Sequence, residues 1–494
     1  MGQNRNGAGK TLQVVICSIA GGFYFGYNSG VVSGLTSTIV QCHFFPTDPV
    51  SVEETTMQST YRGLFTACIL VGGILGAILG VPFADMFGRR LGYIACGVIG
   101  SIGILQGFID NFAILVLIRT IMGVAVGAFS VIVPLFVTET CPPATRGSTG
   151  TIFQVAICFS IFVSQALNYA MYPEYSNETI DSMCVPTWKW KFQLALGCLP
   201  ATFAIIHGLI WMPESKDWLY RQGRIDLTEE FARSESHQSL NNMDSGDVRR
   251  LEALDESALE TDLPEPLLIR APAPDKIGKF TWCELLFSQY GLEWSGIGVG
   301  LAMSTQLTGI NAFICYSPQI FKDAGFTNVL VLTVVAVGLW NTVSVFAALS
   351  LVDRLGRRPL MLTAEIGMTT CAMILAASYS FLDEGTLKSI VTVVGLMGFI
   401  FFFEVGPGSL FFLMASETFP RVVRSKALVL TNVFNWIFNI CVTFGFPIID
   451  KAIGTSMTFA LLAMFGMASV TFVYFKMPET KGDLPPTPLL DIFS

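Results

Sequence analysis

Long apolar runs separated by short polar clusters dominate the chain, and the length of those runs is the first constraint on its fold. A helix needs about 20 apolar residues to cross the hydrocarbon core of a bilayer. Runs of that order lie at 11–36, 61–84, 91–110, 112–137, 147–171, 188–212, 291–321, 328–351, 360–382, 388–415, 427–450 and 455–477. They predict twelve membrane-spanning helices, six on each side of a polar stretch from Pro213 to about Ser288. That stretch, with "SESHQSLNNMDSGD" and "APAPDK", lacks sustained apolar periodicity and reads as partly helical and partly disordered. The expected organisation is a six-helix half over 1–212, a linker over 213–288, a second half over 289–482 and a short tail over 483–494.

Composition agrees with an all-α integral membrane protein. Of the 494 residues 52% are hydrophobic and only 13% charged, against about 25% charged in soluble domains. The net charge of −8 is local: residues 214–290 hold sixteen acids against nine bases. With no basic stripe, nucleic acid is not an expected partner. Most of the twelve cysteines fall inside apolar runs without CxxC spacing, and there are three histidines, so neither a metal site nor a cofactor is expected. Cys42 and Cys184 fall in loops on one side, where they either pair or stay as two free thiols.

The chain repeats itself. "DMFGRR" (85–90) returns as "DRLGRR" (353–358), "ETCPPATR" (139–146) as "ETFPRVVR" (417–424), and "PES" (213–215) as "PET" (478–480). The three ordered echoes, offset by 268, 278 and 265 residues, each follow an even-numbered span. They predict two six-helix halves in parallel orientation, an arrangement that places a substrate site near the midplane between repeats. The echoes also duplicate charges: Asp85, Arg89, Arg90, Glu139, Arg146 and Glu214 in the first half, and Asp353, Arg357, Arg358, Glu417, Arg424 and Glu479 in the second. Topology alone explains the arginines but not the acids beside them, so a salt-bridge network that gates one face is expected.

Lys and Arg in short loops set the orientation. Arg89, Arg90, Arg146, Arg354, Arg357, Arg358, Arg421, Arg424 and Lys426 share one side, while the other has the sparser Arg62, Lys189, Lys191, Lys322, Lys388 and Lys451. The richer side is expected to be cytoplasmic, with both termini and the linker, in a multi-pass protein of the cell membrane. The sequon at Asn177, a glycosylation candidate, then falls outside.

Polar residues inside the spans carry the candidate chemistry. The seventh span reads "TQLTGINAFICYS", with Gln306, Thr308, Asn311 and Tyr316. Gln306 and Asn311 are five positions apart, which an ideal helix spreads by about 140°. A shared face needs a helix break, which Gly309 permits. The fifth span adds Gln154, Gln165 and Asn168, the eighth Asn341, the tenth Glu404, and the eleventh Asn432, Asn435, Trp436 and Asn439. A lone amide serves as interhelical glue worth about 0.6–2 kcal/mol. So many amides over several spans, beside aromatics, predict a water-filled cavity. Amides donate and accept as hydroxyls do, and Arg119 is the one base set deep in a span. An uncharged, polyhydroxylated ligand fits this inventory. Glu365 and Glu404 are acids within spans, which makes each a functional hypothesis.

"GRR" after spans two and eight, "PES" after span six, "QLTGIN" in span seven, "FEVGPG" in span ten and "PETKG" after span twelve together resemble the sugar porters of the major facilitator superfamily. "FGYNSG", "FFFEVGPG" and "NWIFN" look closest to its facilitative hexose (glucose) transporters. The resemblance covers nearly the whole chain and implies sugar contacts from Gln154, Gln306, Asn311, Asn341, Glu404, Asn435 and Trp436. The chain departs from the family pattern at Thr305, Cys315 and Ser409–Phe412, and Glu365 has no counterpart in that pattern.

The expected function is therefore a hexose carrier working by alternating access and not an enzyme. The alternatives are a proton-coupled symporter of a sugar or of a polyol such as inositol, and a transport-inactive sugar receptor. Asn28, in "GFYFGYNSG", bears on energy coupling. In proton-coupled porters resembling this chain an Asp holds the matching place, whereas an amide has no proton to exchange. Downhill uniport is the expectation.

Overall fold

The computed structural model of the protein describes residues 2–37, 39, 44, 52–141, 143–171, 187–223, 281–326, 328–419 and 423–480. Asn177, Cys42, Cys184, most of the linker and the tail lie outside them, as do the side chains of Arg146 and Asp353. Among the described residues all twelve expected spans are helical and there is no strand. Spans 1–6 are Thr11–Ser33, Tyr61–Phe87, Arg89–Phe108, Phe112–Thr140, Gly147–Met171 and Trp188–Ile210. Spans 7–12 are Gly291–Lys322, Val329–Val352, Arg357–Phe381, Thr386–Glu417, Arg424–Ile453 and Thr455–Lys476.

Each half packs around its own aromatic knot. In the first, Tyr24 and Tyr93 flank Phe129 at ring separations of 5.6 and 5.5 Å. In the second, Phe313 lies 4.4 Å from Phe399 and 5.7 Å from Phe459. Span 1 meets span 5 backbone to backbone: a Cβ on Gly26 would stand 2.2 Å from the Ile157 carbonyl oxygen. Small residues allow this approach where lipid supplies no hydrophobic drive between helices. Across the seam between halves, span 5 runs along span 8 and span 2 along span 11.

Three spans break where the seam opens. Span 7 is two helices, Gln289–Gln306 and Ile310–Asp323. Between them Gly309 takes φ 103°, a left-handed conformation that L side chains rarely adopt. Span 8 carries a π-helical stretch at Thr333–Leu339 and span 10 a π-turn at Glu404–Gly408. Pro407 lies within that turn. There the Ser409 hydroxyl donates to the Glu404 carbonyl at 2.6 Å, satisfying a group the irregular helix leaves open.

Candidate substrate cavity

The breaks in spans 7 and 10 border a cavity of about 970 Å³, counting the space open at its mouth, between the two halves. Its wall is mostly apolar, with polar groups grouped on the second-half side. Gln306 sits on the last residue of the first piece of span 7, and Asn311 is the second residue of the next. The break at Gly309 turns both side chains into the cavity. Asn311 Nδ2 donates to Gln306 Oε1 at 2.5 Å, and Gln306 Nε2 donates to Asn435 Oδ1 at 2.9 Å, making an amide chain from span 7 to span 11. Opposite, Gln154 Nε2 donates to Glu404 Oε2 at 3.1 Å, bridging span 5 and span 10 across the seam. Asn341 also lines the cavity, and neither its nitrogen nor its oxygen finds a partner. Buried amides left open in this way favour a ligand that donates and accepts.

Six of the seven expected contact residues therefore line one space. Trp436 does not line it: its indole packs behind the wall, 5.3 Å from the ring of Phe25, where a Cβ on Gly73 would come within 2.8 Å of it. Phe25 presents the aromatic face instead. Tyr316 likewise turns away, donating to the Thr443 carbonyl at 2.7 Å and stacking on Phe446, so that Cys315 faces the cavity. Ser29, Thr66, Thr305 and Asn439 are lining residues that the sequence did not single out as contacts. Ser29 is the neighbour of Asn28, so the motif was visible but not its facing side.

Asn28 itself points at span 6. Its Nδ2 donates to Tyr24 O at 2.9 Å and to Gly197 O at 3.3 Å. Its main-chain carbonyl accepts from Arg119 Nη2 at 3.3 Å. Arg119 is fully buried, holds its guanidinium 4.6 Å from the Phe65 ring centroid, and faces no acid within ion-pair distance among the described residues. Glu365 lies away from the cavity, wholly buried on span 9, with the Ser469 hydroxyl of span 12 beside its carboxyl.

The duplicated charges gather at the span ends in matching arrangements. Arg89 is buried, with Nη2 on Glu139 Oε1 at 2.8 Å, Nη1 on Asp85 Oδ1 at 2.6 Å and Nη1 on Ala84 O at 2.8 Å. Arg357 repeats this with Nε on Glu417 Oε2 and Nη1 on Val352 O, both at 3.3 Å. Glu214 accepts the Arg89 N–H at 2.8 Å and Glu479 the Arg357 N–H at 2.9 Å, so each acid caps the N-terminus of a span. Both caps need the glycine before the arginine. Gly88 and Gly356 take φ 105° and 93°, and a Cβ would lie 2.3 and 2.8 Å from the capping carboxylates. Arg90, Arg358 and Arg424 donate to the carbonyls of Gly208, Tyr474 and Phe419. Ser425 Oγ reaches Asp85 Oδ1 at 3.4 Å across the seam.

The family described as sugar (and other) transporter matches residues 14–484. The chain is 31% identical to the mouse (Mus musculus) solute carrier family 2, facilitated glucose transporter member 4, over 96% of its own length and 89% of that protein's. It is 29% identical to the major myo-inositol transporter IolT of Bacillus subtilis (strain 168), covering 95% and 91%. To the D-xylose transporter of Levilactobacillus brevis it is 27% identical, covering 94% and 91%. Among solved structures, the XylE proton:xylose symporter bound to 6-bromo-6-deoxy-D-glucose superposes with a TM-score of 0.78 at 24% identity, covering 99% of this chain and 100% of that one. The fold is that of the major facilitator superfamily. The chain belongs to the sugar (and other) transporter family, and it is a multi-pass membrane transporter, not an enzyme.

Proposed function

We propose that the protein carries a hexose of the glucose type by alternating access, as a facilitative uniporter of the cell membrane. The observation that carries the reading is the amide-rich, uncharged-ligand cavity between two similar halves. In it Gln154, Gln306, Asn311, Asn341, Glu404 and Asn435 hydrogen-bond sugar hydroxyls, and Trp436 backs Phe25 against the C–H face of the ring. The halves, 1–212 and 289–482, rock about the site, joined by a cytoplasmic linker. Both termini and the arginine-bearing span ends are cytoplasmic, and the duplicated charges gate that face. The relatives' names favour a sugar or polyol; the hexose preference rests on the motifs shared with facilitative carriers.

Uniport rests on Asn28, which offers Arg119 a main-chain carbonyl and no ionisable group. Proton-coupled symport is the second reading, favoured by the wholly buried carboxyl of Glu365. Proteoliposomes with equal labelled D-glucose on both sides and an imposed inward proton gradient decide between them. Uniport gives equilibration without accumulation, whereas sugar concentrated inside and released by a protonophore means symport. Parallel uptake of D-xylose and myo-inositol tests the hexose preference.

A further inference from the structure

Just before span 7 the chain forms a short helix, Trp282–Phe287, that carries more apolar surface than the protein covers. Leu285 is fully buried, but Trp282 is 40%, Leu286 39% and Phe287 77% exposed, with Cys283 exposed among them. Trp282 and Leu286 are four residues apart, as are Cys283 and Phe287, so the exposed side chains share one side of the helix. Contiguous apolar surface of this kind marks contact with a partner molecule or with membrane.

The helix is fixed in place and is not a trailing end. Thr281 and Glu284 close a capping box at its start. Ser288 ends it and opens the next helix, its Oγ accepting the Gly291 N–H at 3.0 Å. Ser295 Oγ donates to the Leu285 carbonyl at 3.0 Å, and a Cβ on Gly291 would stand 2.1 Å from the Glu284 carbonyl oxygen. The short helix therefore lies back against the first turn of span 7, which begins at Gly291. Trp294, in that turn, clusters with Phe419 and Val423, so this is the side of the membrane that bears the arginines. Leu292 and Glu293 are both exposed there, an apolar and a charged side chain together, as a headgroup boundary allows and hydrocarbon does not.

We infer that the helix Trp282–Phe287 is a membrane-surface anchor, its exposed side seated among the phospholipid headgroups and upper acyl chains of the arginine-side leaflet. Continuity with the lipid-facing surface favours lipid over a protein partner. Span 12 runs beside the opening turns of span 7, a Cβ on Gly300 standing 2.2 Å from the Phe472 ring, and it ends in exposed Tyr474 and Phe475. Exposed aromatic side chains at span ends are the usual mark of the membrane–water interface. Trp282 and Phe287 extend that belt past the start of span 7, and a helix apolar on one side lies flat in such an interface. The anchor holds the start of the second half at the bilayer surface, whatever the cargo.

The photoreactive residue p-benzoyl-L-phenylalanine in place of Phe287 tests this in the full chain, reconstituted in vesicles of phosphatidylcholine and phosphatidylglycerol. After irradiation, mass spectrometry should find the probe joined to phospholipid acyl chains, at a yield like that of the same probe at Leu292. Cross-links to linker residues 224–280 or to a second copy of the chain, or recovery without a lipid adduct, overturn the anchor. The milder variant Trp282→Phe guards against misfolding. Wild-type emission minus that of Trp282→Phe isolates Trp282, and lipid brominated near the headgroup end of its acyl chains should quench it more than aqueous acrylamide does. A Trp282 emission quenched by acrylamide and not by the brominated lipid also overturns the anchor.

Discussion

Arg119 donates to the main-chain carbonyl of Asn28 at 3.3 Å, while the side chain of Asn28 turns from it to the Gly197 carbonyl. A buried guanidinium thus meets Asn28 through its main chain, with no ionisable group at that residue. Asn28→Asp introduces an ionisable group next to Arg119 in the chain's packing, whose carboxylate would meet the Tyr24 and Gly197 carbonyls unless it swings toward the guanidinium. The expected outcome is sugar uptake that depends on external pH in the variant and is flat in the wild type. Uptake into proteoliposomes at acidic and neutral external pH measures this, and matching profiles would count against Asn28 as the coupling position.

Gln306 holds Asn311 on one side and Asn435 on the other. Gln306→Leu strands both amides as well as a sugar hydroxyl, so affinity should fall by about 1–3 kcal/mol, or roughly 5- to 150-fold. Trp436→Phe should change affinity by less than about threefold, because the indole Nε1 has no partner and the ring stands behind Phe25. Binding measured on both variants checks the pair. A larger loss in Trp436→Phe than in Gln306→Leu would reverse the assignment.

Arg89 and the side chain of Glu139 are buried together. Arg89→Gln leaves a buried carboxylate without its cation, a loss of about 3–5 kcal/mol. Arg90→Gln should cost less, since Arg90 donates to carbonyls near the end of span 6 and not to a buried acid. Thermal unfolding in detergent, followed by intrinsic fluorescence, should show a much lower midpoint for the first variant. Equal midpoints would mean that Arg89 is not the structural member of the pair.

Orientation is checked at Asn177. In a glycosylating eukaryotic cell the protein should lose apparent mass on glycosidase treatment, and Asn177→Gln should abolish the shift. An epitope inserted at Ser176 that is labelled only after the membrane is permeabilised would invert the topology.

Much of this architecture could be read from residue order. Apolar run lengths gave all twelve spans, the echoed "GRR" and "ET" motifs marked two similar halves, and Gly309 announced the break that aims Gln306 and Asn311 together. Which neighbour faces the cavity was harder to read. Asn28 and Ser29 differ by one position, about 100° around a helix, and the cavity takes Ser29. The π-helical stretches of spans 8 and 10 shift the facing side by a further residue, and such turns leave little trace in composition. Trp436 was named from its motif, and only packing against Gly73 and Phe25 places it behind the wall.

The hydrogen bond from Asn311 to Gln306 spans the joint at Gly309, a side-chain tie between the two pieces of span 7. In a carrier of the kind proposed, a sugar hydroxyl that takes the Gln306 carbonyl replaces this tie with a bridge through the ligand itself. Cargo then sets the stiffness of span 7, and the loaded protein reorients at a different rate from the empty one. If the empty joint is the tighter of the two, the return trip without cargo limits the cycle. Labelled sugar should then leave vesicles faster into a medium containing unlabelled sugar than into plain buffer, and Asn311→Ala should narrow that gap.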